Sequence, residues 1–363
     1  MKYNLLFFVL LSIMSGLIII SACTRKNNPI IGAKIYSDNN HELLMQQWKS
    51  TGIRTAFISK ELARDEPLKI LMAKNNIPFF IIWPIFQNPE YLHHDSTQYA
   101  ITNLGKRAID DWVEFVCPSR MNYRNMVVDS IRWYVKNCHP QGVSMDFIRH
   151  FVYWEKVYPD QDPDRIENAC YCDSCLINFT NLTGIGIPDT LLTVQQKAGF
   201  LKLYHNTEWN GFRSDLITSM VKAISEAVKD EDHSVKINIH IVPWREGEFN
   251  NAIINIAGQK INEMAIYADY ISPMCYSQML RRDPEWIHSV VADMDREAPG
   301  KVLPSIQVYP FYIDYQFLPE DLLKGLESSL NAPSKGVVFW SWPLLNKDPE
   351  RLHLVSDYLN NHN

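Results

Sequence analysis

Asp146 closes the apolar run Gly142-Val-Ser-Met-Asp-Phe147, where an ionised carboxyl costs free energy unless it has partners or a task. Arg149 follows closely and is a candidate partner that would hold Asp146 charged and lower its pKa. A charged carboxylate suits a nucleophile, or a stabiliser of oxocarbenium character, better than a proton donor, and that is the chemistry of glycosidic bond cleavage. Spacing singles out no second carboxyl: Glu246, Glu248, Asp283 and Asp314 each follow a strand-like run and read as loop acids. Thiols bracket the Asp146 run, with Cys117 upstream and Cys170-Tyr-Cys172-Asp-Ser-Cys175 downstream. Three thiols packed so closely are seldom explained by core packing, and with Cys117 they supply the four sulfurs that tetrahedral zinc prefers. Four thiolates leave no position for water, so such a zinc would be structural. Disulfides, for instance between Cys117 and one of the cluster, are the competing reading. Cys138 closes a helix, and Cys275, in an apolar run, reads as a small core residue.

Strand alternation extends the site beyond Asp146. Val143, Met145 and Phe147 share one face, and Gly142, Ser144 and Asp146 share the other. Ile237, Ile239 and Ile241 likewise oppose Asn238 and His240, while Ile306 and Val308 oppose Ser305, Gln307 and Tyr309. If the apolar faces meet helices, the polar faces meet one another. By the same count Tyr276 ends one run, and Trp340 and Trp342 end the last. Arg149, His240, Tyr276, Gln307, Tyr309, Trp340 and Trp342 are therefore expected around Asp146 as substrate-binding groups. Aromatic faces with a few fixed polar groups suit a carbohydrate.

Such convergence requires parallel strands whose carboxyl ends share one opening. Eight strand-like runs occur, at residues 30–36, 55–59, 78–85, 142–147, 235–244, 269–277, 302–309 and 336–342, and amphipathic segments separate them. Residues 122–136 set Val127, Val128, Ile131, Tyr134 and Val135 at helical spacing, as one buried face requires. Eight alternations are the signature of an α/β fold of the (β/α)8 TIM barrel type, although a doubly wound open sheet shows the same local pattern. The longest connections, 86–121 after the third strand and 148–199 after the fourth, are long enough to be lids or binding loops.

Lys2, the apolar run Leu5 to Ile20 and the ending Ile20-Ser-Ala-Cys23 read as a secretory signal peptide, residues 1–22, ending in a lipobox. A membrane-spanning helix is the alternative, weakened by Ser12, Ser15 and Gly16. Lipidation at Cys23 would leave residues 23–29 as a tether and 30–363 as a single barrel domain, anchored in a bacterial cell envelope at the outer membrane or the periplasmic face. The 35 basic residues stand against 41 acidic ones, a formal net charge of −6, which makes nucleic acid an improbable partner. No organic cofactor is expected.

Cys117-Pro-Ser119 with Tyr123 and Arg124, then Gly142 to Asp146, then Cys170-Tyr-Cys172-Asp-Ser-Cys175 with Phe179, resemble glycoside hydrolase family 42 β-galactosidases and related hypothetical glycosyl hydrolases. More diffusely, Asp146-Phe-Ile-Arg149, Trp209 to Arg213, Ala268 to Met274 with Tyr276, and Gly336 to Trp342 are similar to glycosyl-hydrolase-like lipoproteins. The resemblance implies a (β/α)8 barrel with structural zinc on Cys117, Cys170, Cys172 and Cys175. It does not transfer galactosidase activity. Where the family carries an Asn-Glu pair after this Asp, the chain has Phe147 and Ile148, and the second family Glu falls near Gln307. The expected function is hydrolysis of a glycan by Asp146 and an unassigned acid. The alternatives are a carbohydrate-binding lipoprotein on a degenerate barrel and a purely structural envelope lipoprotein.

Overall fold

The computed structural model describes residues 28–362; the signal-like run and Cys23 lie outside the described residues. Eight parallel strands form a closed barrel: β1 (Ile30–Ile35), β2 (Thr55–Ser59), β3 (Phe79–Pro84), β4 (Gly142–Asp146), β5 (Lys236–Ile241), β6 (Tyr270–Cys275), β7 (Ser305–Gln307) and β8 (Gly336–Trp340). Closure is made by β1 against β8, with Ile31 opposite Val337 and Ala33 opposite Phe339, so the sheet is not an open one. The main helices are α1 (His41–Thr51), α2 (Glu66–Lys74), α3 (Met121–Cys138), α4 (Asp173–Thr183), α5 (Val194–Tyr204), α6 (Asn206–Glu231), α7 (Trp286–Glu297), α8 (Pro319–Leu330), α9 (Trp342–Asn346) and α10 (Pro349–Asn361).

Local signals place these elements. The Asn40 side chain accepts from the Leu43 N–H to start α1, and Gly52, at φ 88°, ends it in the left-handed region. In α3, Val127, Ile131 and Val135 are buried, while Val128 and Tyr134 are half-buried at the border of the same face. Residues 253–264, which read as one helix from their periodicity, instead form two single turns, Ala252–Asn255 and Ile261–Met264. Gly258 breaks the run with φ 73°, and its missing Cβ leaves room for the His150 ring, whose Cδ2 would lie 2.7 Å away.

Two cores result. Outward-facing Ile237, Ile239, Val337 and their counterparts pack beneath the helices, whereas Phe57, Phe80, Ile82, Leu303 and Val338 plug the barrel interior. Phe57 stacks on Phe80 with ring centroids 4.8 Å apart. The plug fills the lumen between the strands, below the cavity at their carboxyl end. That end carries the two long connections, the first containing a small hairpin (Ile109–Asp110 with Val113–Glu114), the second α4 and α5. Among the described residues, no helix is long and apolar enough to cross a membrane.

Candidate active site

A cavity of about 440 Å³ opens above the plug, lined by Lys34 and Tyr36 from β1, Ser59 from β2, Asp146 from β4, Tyr276 after β6 and Trp340 from β8. The loop after β4 adds Phe147, Arg149, Trp154 and Glu155, and Trp112 and Tyr312 stand at the rim. Phe147 does not face the helices as strand alternation implied. The strand ends at Asp146, Phe147 takes φ 50°, and its side chain turns into the cavity. The same turn directs the Phe147 N–H to Asp146 Oδ1 at 2.8 Å. Gln259 fastens the bend from below, donating to the carbonyls of Ile148 at 3.1 Å and His240 at 3.0 Å.

Beneath Asp146 lies a polar ladder inside the barrel. Asn238 Nδ2 donates to Ser144 Oγ at 2.8 Å, Ser144 Oγ is 2.9 Å from His240 Nε2, and His240 Nδ1 is 3.2 Å from Lys34 Nζ. Lys34 Nζ also donates to Tyr276 Oη at 3.4 Å. Burial, reinforced by the Lys34 charge, drives His240 down to about 3, so its imidazole is neutral at physiological pH. Burial likewise lowers Lys34 to about 8, with Asp146 opposing the shift, which leaves the amine mostly protonated at neutral pH. Burial by itself would raise Asp146, but His240 when protonated, Lys34, the Phe147 N–H and Arg149 together hold its carboxyl below the ordinary range. With His240 neutral, Lys34 and Arg149 are the standing cations of that group, Lys34 the stronger.

Glu155 is the counterpart that spacing did not reveal. It sits in the short turn Trp154–Lys156, buried on the wall of the same cavity, and burial raises its carboxyl to about 7 against the opposing charge of Arg149. Its Oε2 has no hydrogen-bond partner among the described residues. Arg149 lies 2% exposed between the rings of Phe115 and Phe147, at 5.0 and 5.2 Å. It forms no ion pair with Asp146, and its Nε and Nη1 are unpartnered among the described residues. Glu246, Glu248, Asp283 and Asp314 do not line the cavity; Glu248 is held by Arg245 and Arg282.

The other expected binding residues divide. Tyr276 and Trp340 line the cavity together, stacked with centroids 4.5 Å apart. His240 and Gln307 point into the barrel but stay below the cavity. Gln307 donates to Gln278 Oε1 at 2.7 Å and accepts from the Met279 N–H at 3.1 Å, so it supports the loop after β6. Tyr309 and Trp342 are outside the site altogether. Lys347 Nζ covers the Tyr309 ring at 3.8 Å, and Trp342 meets Trp48 of α1 edge-on at 6.1 Å. Both lie beyond the last residues of their strands, Gln307 and Trp340, where alternation no longer governs direction.

Cys117, Cys170, Cys172 and Cys175 form a buried cluster that could hold a metal ion, their sulfurs all within 4.8 Å of one another. No disulfide joins the described cysteines, and Cys117 Sγ is 3.4 Å from the sulfurs of both Cys172 and Cys175. Zinc–sulfur bonds of about 2.3 Å in a tetrahedron set sulfurs about 3.8 Å apart, so the donor set fits that ion. The Ile101 N–H points to Cys170 Sγ at 3.4 Å, and Arg213 is buried beside the cluster, its guanidinium over the Tyr171 ring. Because Cys117 comes from the connection after β3 and the other three from that after β4, the cluster clasps the two loops that wall the cavity.

No family model matches the sequence, and no curated protein is detectably similar to it. Solved structures are similar in fold. The PgaB (BpsB) glycoside hydrolase domain from Bordetella bronchiseptica superposes with a TM-score of 0.66 at 11% identity, over 89% of this chain and 97% of that one. The β-galactosidase from the psychrophilic Marinomonas ef1 gives 0.66 at 9% identity, over 91% of this chain and 58% of that one. A catalytic mutant of Gan42B, a family 42 β-galactosidase from G. stearothermophilus, gives 0.63 at 9% identity, over 93% and 57%. The chain thus spans nearly all of the first and little more than half of the galactosidases. The (β/α)8 barrel implied by the family 42 resemblance is the barrel that these glycoside hydrolases share with it.

Proposed function

We propose that this protein hydrolyses a glycosidic bond in a cell-envelope glycan, with Asp146 as the ionised nucleophile or stabilising carboxylate and Glu155 as the proton donor. The observation that carries the reading is the opposite tuning of two carboxyls on one cavity: Asp146 is held charged, and Glu155 is raised to about 7. As the bond breaks, the Glu155 proton passes to the departing glycosidic oxygen and the Asp146 anion faces the charge growing at the anomeric carbon. Water then adds its hydroxyl to that carbon and gives its remaining proton to Glu155, which restores the acid and leaves Asp146 ionised. Trp340, backed by Tyr276, and Trp112 offer aromatic surface for sugar stacking, and the unpartnered donors of Arg149 suit a substrate oxygen. Zinc on the four cysteines would be structural and would take no part in these steps; lipid on Cys23 would tether the protein to the envelope.

The test is release of new reducing ends from envelope polysaccharides by the purified protein, compared with Asp146→Asn and Glu155→Gln. Turnover that either substitution leaves intact overturns the assignment of that residue. Glycan retention without product from the unaltered protein would instead make it a binding barrel.

A further inference from the structure

A second cavity, about 430 Å³, lies on the same end of the barrel and shares no lining residue with the first. It is enclosed by the connection after β3 (Asn103), the thiol-bearing connection after β4 (Asn168, Tyr171), the facing ends of α5 and α6, and the loop after β5. Seven of its eighteen lining residues are Asn or Gln, and this decides its chemistry, because carboxamides both donate and accept without carrying charge. The only charged side chains on it, Asp164 and Lys202, are paired with each other at 2.8 Å and are 69% and 62% exposed at the rim. An ionic ligand would find no free countercharge there.

Several of the amides are already spoken for. Asn210 Nδ2 donates to Asn206 Oδ1 at 3.1 Å and Asn255 Oδ1 at 3.2 Å, and Asn103 Oδ1 accepts from the Asn168 N–H at 3.1 Å. Among the described residues this leaves Asn103 Nδ2, Asn206 Nδ2, Gln195 Oε1 and the whole Asn250 amide without protein partners. Three aromatic rings complete the wall: Tyr171 and Trp209, with centroids 5.2 Å apart, and Phe249. Phe249 and Asn250 are held at φ 50° and 58°, a backbone strained for Phe, so the loop presents these two side chains at a conformational cost.

We infer that this second cavity binds a neutral oligosaccharide, through the Phe249 ring over a buried aromatic floor of Tyr171 and Trp209, and through the open amides of Asn103, Asn206 and Asn250. Binding here does not require hydrolysis at the first cavity, and only a ligand continuous with a cleaved chain rests on the hydrolytic reading. The ligand is either a remote stretch of the chain being cleaved or a separate glycan, and the same chemistry recognises both.

A printed array of neutral gluco-, galacto-, manno- and N-acetylglucosamine oligomers is the probe, with Asp146→Asn protein used to prevent turnover. Gly199→Trp fills the cavity mouth, since a Cβ at Gly199 meets nothing within 4 Å. Asn250→Gly removes one open amide and keeps the positive φ. Retention of at least one oligomer, weakened about tenfold or more by Gly199→Trp and measurably by Asn250→Gly, is the expected result. Oligomers that also require Trp340 bridge both cavities; those indifferent to Trp340→Ala are separate glycans. Retention unchanged by both cavity variants, or no retention of any neutral oligomer, overturns the inference. Product release by the unaltered protein is measured separately, so a failure here is not mistaken for a failure of the hydrolytic reading.

Discussion

At neutral pH the Asp146 carboxylate is sustained by Lys34, while Glu155 on the same cavity is close to half-protonated at about 7. Hydrolysis needs Asp146 charged and Glu155 protonated, so activity should fall on the acid side as Asp146 takes up a proton and on the alkaline side as pH rises through about 7. A pH–rate profile checks this: Glu155→Gln should lower kcat by about 10²- to 10⁴-fold and abolish the alkaline limb set by that carboxyl. Lys34→Met should move the acid limb upward, because Asp146 loses the stronger of its two standing cations and keeps only Arg149; an unmoved limb would show that Lys34 does not tune it. Asp146 was legible in the sequence because an acid at the end of an apolar strand violates burial rules. Glu155 was not, because Tyr153-Trp154-Glu155-Lys156 lies in a loop with no period to fix its direction. The single hint was a Glu flanked by aromatic residues.

Elements decide how that cavity is floored and walled. Gly142 opens β4, where a Cβ would lie 2.2 Å from the Phe80 ring of the interior plug. Gly142→Ala should therefore destabilise the fold by about 1–3 kcal/mol in urea titration, the range for forcing atoms into a packed core. After β1, His41, the first residue of α1, meets Asp38 and the Asp65 that caps α2, at 3.1 Å for the latter. Burial lowers its pKa, but the hydrogen bonds and charges of the two acids outweigh that and leave it raised. A raised folded value means that this stabilisation is complete below the ordinary His range and disappears as pH rises through the folded pKa. The difference in urea midpoint between the unaltered protein and His41→Gln should accordingly shrink from about pH 6 to about pH 9. Helix and strand identities were readable from periodicity and caps. The 253–264 segment has helical apolar spacing yet forms no continuous helix, because Gly258 and the inward pull of Gln259 outweigh that spacing.

On the scale of the whole molecule, the cysteine cluster joins the two longest connections, and through them both cavities. Protein purified without chelator should contain about one zinc per chain by elemental analysis, and Cys175→Ser should lose it. Chelation should loosen the 85–120 and 147–205 connections before the barrel, visible as hydrogen exchange confined at first to those segments. A metal-free protein with unchanged exchange would remove zinc from the account. By itself the sequence determined the eight alternations, the buried thiol set and the inward phase of Asp146, His240 and Gln307, because each rests on local period or on composition. Only the tertiary structure decided that the sheet closes, that Tyr309 and Trp342 leave the site, and that Glu155 enters it. Direction beyond a strand's last residue depends on contacts with distant parts of the chain, and no local repeat encodes those.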